Sequence, residues 1–138
     1  MAGPDVPMLE MLWEAHDARG ALEDRFGFPD AGSVGHWVAA TVREHWGIRI
    51  GSCERIVISD RNALAWVTTS SGRLVAKWSA AAERFARLSQ IARLTHWLAG
   101  CGLPVSAPVP SSGGGFQVEA GGVSMCLQRV IQGELLQR

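Results

Sequence analysis

The stretch from Cys53 to Trp78 limits the folds open to this chain most strongly, because its apolar residues repeat with a period of two. This period is typical of β-strands that bury one face, and it persists through three consecutive runs. The runs cover residues 56–58, 64–69 and 74–78, with polar loops at 59–62 and 70–72. A parallel neighbour would need a long crossover, so the three strands are predicted to be antiparallel.

Apolar residues at helical spacing predict helices on both sides of these strands. The predicted helices cover residues 6–26 with an interruption at Gly20, residues 34–46, and residues 80–99. Ser33 and Ser79 are the predicted N-caps of the second and third helices, and Gly47 is the predicted C-cap glycine of the second.

The segment after the third helix is predicted to be an extended linker over residues 104–110, followed by a β-hairpin. Its strands are residues 116–120 and 123–130, joined at Gly121-Gly122, a pair that tolerates positive φ. The predicted fold class is therefore α+β, with N-terminal helices before a five-stranded antiparallel sheet and one helix inserted after the third strand. The third strand is predicted to lie between the second and the fifth.

Composition excludes several classes of function. The 138 residues carry 13 basic and 13 acidic side chains, so no net charge draws the chain to nucleic acid or to a membrane surface. The three cysteines lack CxxC spacing, and we expect free, buried thiols and no metal site. Without an apolar run of about 20 residues or a signal peptide, we expect a cytoplasmic protein.

Lys77 is the residue of the third strand that most suggests a function. Alternation places Leu74, Ala76 and Trp78 on one face of the strand, and Val75 and Lys77 on the other. A lysine buried in a central strand is costly unless its ammonium meets an anion. From alternation alone, an anion site and a lysine that points to solvent from a half-exposed sheet are equally good interpretations.

The stretch from Cys53 to Leu136 resembles the aminoglycoside phosphotransferase family, the small-molecule kinases of the protein-kinase-like fold. Residues 73–78, RLVAKW, look like the third strand of the N-terminal lobe with its phosphate-binding lysine. Residues 98–110, LAGCGLPVSAPVP, look like the helix end and turn of the family. Residues 123–136 look like the fifth strand and the hinge between the two lobes.

The resemblance implies a nucleotide site for ATP. Lys77 would hold the α- and β-phosphates, and the loop with Ser59, Arg61 and Asn62 would cover them. Backbone groups near Arg129 and Ile131 would bind adenine. The implied walls of the adenine pocket are Val57, Val75 and Leu127.

Two features depart from the family pattern. The loop at residues 59–62 contains no glycine. The glutamate that the family places in the inserted helix, as partner of the lysine, falls near Gln90 or Ile91, and the only acid of this helix is Glu83. Either Glu83 pairs with Lys77 in a shifted register, or Gln90 offers a hydrogen bond and the nucleotide alone supplies the counter-charge, or the lobe binds nucleotide poorly.

The predicted domain organisation is an N-terminal helical segment at 1–50, a kinase-like N-lobe at 51–131 and the start of a hinge at 132–138. The catalytic and Mg²⁺-binding groups of the family lie in a C-terminal lobe, which we expect outside these residues, so the 138-residue chain should not turn over alone. The small-molecule phosphate acceptor would bind there too. The alternative function is a non-catalytic, pseudokinase-type module that acts through homodimerisation or partner binding.

Overall fold

The computed structural model describes residues 7–11, 18–59, 61–70 and 72–130. Their strands form one six-stranded sheet with the order β1-β2-β3-β4-β6-β5. The strands are β1 Met8–Met11, β2 Ile50–Ile58, β3 Asn62–Thr69, β4 Gly72–Ser79, β5 Gln117–Ala120 and β6 Val123–Arg129. The helices are α1 Ala18–Phe26, α2 Ala31–Trp46 and α3 Phe85–Gly100, the last preceded by a 3₁₀ helix at Ala82–Arg84.

The predicted antiparallel core of the sheet is confirmed. β4 pairs antiparallel with β3 on one side and with β6 on the other, so the strand that carries Lys77 is central. The C-terminal hairpin is also confirmed, with Gly121 at φ 60° and Gly122 at φ 83°. These two positions need left-handed backbone, which glycine adopts without a steric penalty.

The N-terminal edge of the sheet differs from the prediction. Residues 8–11, predicted as helix, form β1, which pairs parallel with β2. The sheet is therefore six-stranded and mixed rather than five-stranded and antiparallel. A four-residue apolar run fits either period, and here tertiary pairing decides: Leu9 packs against the core while Glu10 forms an ion pair with Arg55 of β2 at 2.8 Å. The helix prediction is confirmed over residues 18–26.

One face of the sheet is packed against α1 and α2. This packed face, with Leu74, Ala76 and Trp78 from β4, holds the main hydrophobic core. Its fully enclosed helical side chains are Leu22, Val34, Val38 and Val42. Trp78 lies edge-on to Trp37 at a centroid distance of 5.2 Å. Burial of this many aliphatic side chains is the dominant stabilising contribution in a domain of this size.

The observed helix caps agree with the prediction at Gly47 and differ from it at Ser33 and Ser79. The N-cap of α2 is Asp30, whose carboxylate accepts the Ser33 N–H at 2.8 Å, so Ser33 is the third residue of the helix rather than its cap. Gly47 is the C-cap as predicted, with φ 69°. Ser79 accepts the Ala81 N–H at 3.1 Å, and α3 itself starts later, at Phe85, without a side-chain cap.

The segment after α3 returns across the sheet and attaches to both β6 and α2. The Val109 N–H donates to Leu127 O at 2.7 Å, and the Trp46 indole N–H donates to Val109 O at 2.8 Å. An isolated bridge joins Pro108 to Gln128. The predicted linker is thus extended but belongs to the sheet edge. Within the described ranges, no helix is long and apolar enough to cross a bilayer.

Candidate functional site

A cleft of about 370 Å³ lies between α3 and the sheet face opposite the packed one. We call this second face the open face, since only α3 covers it among the described elements. Its floor comes from β3, β4 and β6, and its wall from α3 residues Leu88, Ile91, Ala92 and Thr95. The sheet twist and the central place of β4 bring residues from strands far apart in sequence to one concave surface.

The strand register sets the floor of the cleft in cross-strand rows. One row contains Leu64, Lys77 and Cys126, and the next contains Asn62, Ser79 and Ser124. Side chains directly opposite in an antiparallel pair share a face, so each row presents its members to the cleft. The floor therefore carries one cation, beside which stand three short polar side chains.

Lys77 lies on the floor of this cleft and is exposed. Its strand neighbours Leu74, Ala76 and Trp78 are buried on the packed face, so the predicted alternation is confirmed. Lys77 is the only lysine among the 13 basic residues of the sequence. Within the described part of the chain it makes no hydrogen bond or ion pair, and its ammonium is available to an anionic ligand.

The loop at residues 59–62 borders the cleft but is fastened to its surroundings. Ser59 and Asn62, two of the residues predicted to cover phosphates, line the cleft, while Asp60 lies outside the described residues. Arg25 donates to Ser59 O at 2.7 Å. Arg61 donates to Ala80 O at 2.8 Å. Hydrogen bonds on two sides therefore hold the loop in place. Such a loop is better suited to form a fixed rim of the cleft than a flexible, glycine-rich cover over a ligand.

The predicted partners of Lys77 lie elsewhere. Glu83 forms an ion pair with Arg61 at 3.0 Å, and this engages both of them away from the cleft. Gln90 is exposed on α3 and does not line the cleft. In the part of the chain that the structure describes, neither Glu83 nor Gln90 contacts Lys77 through a hydrogen bond. Through its contacts with Glu83 and Ala80, Arg61 stabilises the segment before α3. It does not line the cleft.

The predicted adenine-binding groups have mixed positions. The Arg129 N–H donates to Ala107 O at 3.0 Å, so this amide is already engaged, and Ile131 lies outside the described residues. Leu127 is fully buried in the core of the packed face, so its prediction as a pocket wall is wrong. The error is one of strand parity, because Leu127 and Lys77 have side chains on opposite faces. Val75 shares the open face with Lys77 and is half-buried.

Several polar residues of the cleft were not identified from the sequence. They are Arg84, Gln117, Ser124 and Gln128. The hairpin prediction contained a signal for three of them, because alternation along residues 117–128 puts them on one face once the register with β4 is known. Arg84 had no such signal, since its place depends on how α3 sits over the sheet.

Two of the three cysteines are buried. Burial raises the pKa of the Cys126 thiol to about 11, and the nearby Lys77 charge opposes this only in part. Burial likewise raises the pKa of Cys53 on the packed face to about 11. Cys101, at the end of α3, is exposed, so the prediction of buried thiols holds for two residues and fails for the third.

An aromatic residue extends the open face beyond the cleft. Trp66 stands beside Val75 and opposite Arg55 in the register, and the Arg55 guanidinium lies 4.9 Å from the centre of its ring. The guanidinium also donates two hydrogen bonds to the Glu10 carboxylate, at 2.8 and 2.9 Å. These bonds lower the pKa of Glu10 and raise that of Arg55. The Trp66 ring is therefore half-buried, and the Arg55 guanidinium holds it in place on one side.

Comparisons with known proteins bear on the fold. No protein-family model matches the chain. A comparison with curated proteins likewise gives no match. Among solved structures, spectinomycin phosphotransferase APH(9)-Ia in complex with ADP and spectinomycin matches with a TM-score of 0.59 and 13% sequence identity. The match covers 71% of this chain and 30% of that one. The chain therefore has a kinase-like, phosphotransferase-type fold and spans about a third of the length of that structure.

Proposed function

We propose that this chain is the nucleotide-binding lobe of an ATP-dependent small-molecule phosphotransferase. The proposal depends on the placement of Lys77, the only lysine of the sequence. Lys77 belongs to the central strand β4 and is exposed on the floor of the cleft. The fold likeness to a phosphotransferase supports it, and that neighbour was crystallised with ADP. A lysine in this position acts as a point charge on phosphate oxygens.

The proposal assigns the two ends of a nucleotide to two parts of the open face. The phosphates lie between Lys77 and the loop residues Ser59 and Asn62, which line the same cleft. The base lies toward Val75 and Trp66, which offer a half-buried apolar and aromatic surface. Mg²⁺, the phosphate acceptor and the catalytic groups are assigned to a second lobe outside these 138 residues, so the chain alone is expected to bind nucleotide without phosphoryl transfer.

A thermal-unfolding experiment tests this proposal. ATP at 100 times its dissociation constant should stabilise the chain by about 2.7 kcal/mol, and Lys77→Ala should remove the shift. Arg73→Ala is the matched control, because Arg73 is exposed on the same strand but pairs with Glu54 outside the cleft. An ATP-induced shift that survives in Lys77→Ala, or no shift in the wild type at millimolar ATP, would contradict the proposal.

The single lysine allows a second, direct measurement. Acylation with an amine-reactive ester should modify Lys77 and the N-terminal amine, and mass spectrometry resolves the two sites. ATP should slow modification of Lys77 relative to that of the N-terminal amine, since Lys77 lies in the cleft. Equal rates with and without ATP would argue against phosphate binding at Lys77.

The outer side of α3 favours a second candidate function, a non-catalytic module that dimerises. Leu94 and Trp97 are 54% and 63% exposed and lie three residues apart, Ile91 is 48% exposed where this stripe meets the cleft wall, and Leu103 beyond the helix is 49% exposed. Such a stripe is self-complementary about a two-fold axis, so the proposed occupant is a second copy of the chain. Sedimentation should then show a dimer that Leu94→Gln with Trp97→Gln disrupts, whereas a monomer at 100 µM wild-type chain would exclude this function.

A further inference from the structure

Arg84 is the second cation of the cleft. It directly precedes α3 and lines the same cavity as Lys77. No acidic residue occurs among the described residues that line this cavity. Two cations that share a cleft without a carboxylate repel each other unless an anion lies between them. The charges that line the cleft therefore suit an anion with more than one negatively charged oxygen.

Arg84 is also unengaged in the described structure. Its backbone N–H donates to Ala81 O, but its guanidinium makes no ion pair or hydrogen bond with the described residues. The nearest acid in sequence, Glu83, pairs instead with Arg61. The first turn of α3 has no acidic residue and no side-chain cap. The positive end of the helix dipole therefore adds to the charge of Arg84 rather than being offset.

An independent observation comes from Ser124. This serine is fully buried, lines the cleft, and its hydroxyl has no hydrogen-bond partner. Its cross-strand neighbour Ser79, equally enclosed, does accept a hydrogen bond from Ala81 N–H. Buried hydroxyls are nearly always partnered, so the Ser124 hydroxyl is free to donate to a ligand atom in the cleft.

We propose that Arg84, Lys77 and Ser124 form a polyphosphate subsite, in which the terminal phosphates of a nucleoside triphosphate bridge the two cations and accept the Ser124 hydroxyl. The inference rests on the proposed function and deepens it. Arg84 precedes α3 and lines the same cleft as Lys77, whereas Gln90 does not line it and Glu83 pairs with Arg61. The lysine is therefore held in place by a shared anion and not by an opposite charge on the helix. Free tripolyphosphate carries the same chemistry and should bind without a nucleoside.

Isothermal titration of the 138-residue chain with ATP, AMP and tripolyphosphate tests the subsite. Arg84→Gln should weaken ATP and tripolyphosphate each by about tenfold, the scale of one charge-assisted hydrogen bond, and leave AMP unchanged. Arg84→Lys should restore part of the loss. The matched control is Arg87→Gln, because Arg87 is exposed on the same helix and does not line the cleft. Ser124→Ala should weaken tripolyphosphate by a smaller factor.

The outcomes separate this inference from the proposed function. If Lys77→Ala abolishes ATP binding while Arg84→Gln behaves as Arg87→Gln does, the subsite is wrong and the nucleotide site stands. If tripolyphosphate binds in an Arg84-dependent manner but ATP binds no better than tripolyphosphate, the subsite stands and the nucleotide assignment fails. Wild-type chain that binds neither ligand overturns both.

Discussion

The two faces of the sheet are built from the same strands but have different chemistry. The packed face meets α1 and α2 through aliphatic and tryptophan side chains, most of them fully enclosed. The open face carries Lys77, Ser124, Gln128 and an apolar wall from α3, of which only Ala92 is buried. The packed face thus supplies the stability that lets the open face keep Lys77 and the Ser124 hydroxyl without partners among the described residues. The comparison separates residues that hold the fold from residues that are available to a ligand.

The largest expected effect distinguishes the faces at adjacent positions of β4. Leu74→Ala should lower the free energy of unfolding by about 2–5 kcal/mol, because it leaves a cavity in a closed core. Val75→Ala, one residue along and on the open face, should cost about 1 kcal/mol, since its side chain is only half-buried. Urea denaturation measures both, and equal losses would show that the open face is packed as tightly as the other.

The cysteines report the same contrast through reaction rates. At pH 8, iodoacetamide should modify exposed Cys101 at least about tenfold faster than Cys126, whose pKa of about 11 keeps it almost wholly protonated. Cys53, on the packed face, should be as slow as Cys126. Peptide mass spectrometry over time gives the three rates. Fast modification of Cys126 would indicate that α3 lifts away from the cleft.

A serine pair sharpens the comparison within the open face. Ser124→Ala should raise the free energy of unfolding by about 1 kcal/mol in the absence of ligand, because it removes a buried hydroxyl that has no partner. Ser79→Ala should lower it by about 1 kcal/mol, because the Ala81 N–H then loses its acceptor. Thermal unfolding checks the two signs. A loss of stability in both variants would mean that the Ser124 hydroxyl is partnered.

The smallest expected effect lies at the sheet edge. Hydrogen bonds from Arg55 lower the pKa of Glu10, so the pair stabilises the fold above the unfolded pKa of the carboxyl and loses this contribution as the pH falls through the folded pKa. Glu10→Gln should cost about 0.2–1 kcal/mol at pH 7, and the difference from wild type should shrink as the pH falls below 4.5. A difference that is independent of pH would assign the loss to packing.

The sequence predicts the parts of this fold whose signals are local. The period of two from Cys53 to Trp78 and the glycine pair of the hairpin determine five of the six strands, and alternation alone puts Lys77 on the open face. β1 could not be predicted, because its partner in β2 is distant: Glu10 and Arg55 are 45 residues apart. The same limit applies to the candidate site, because Arg84 lines the cleft only as a result of how α3 packs over the sheet.

β1 has a consequence for how the chain folds and associates. Its parallel pairing closes a long loop, so it should form after the β2-β3-β4 meander and open before it, giving amides that exchange hydrogen early. While β1 is detached, the outer edge of β2 presents unpaired N–H and C=O groups, a template for pairing with another chain. The four residues Met8–Met11 thus protect the chain from aggregation through a local folding equilibrium at the edge of the sheet that is far from the cleft.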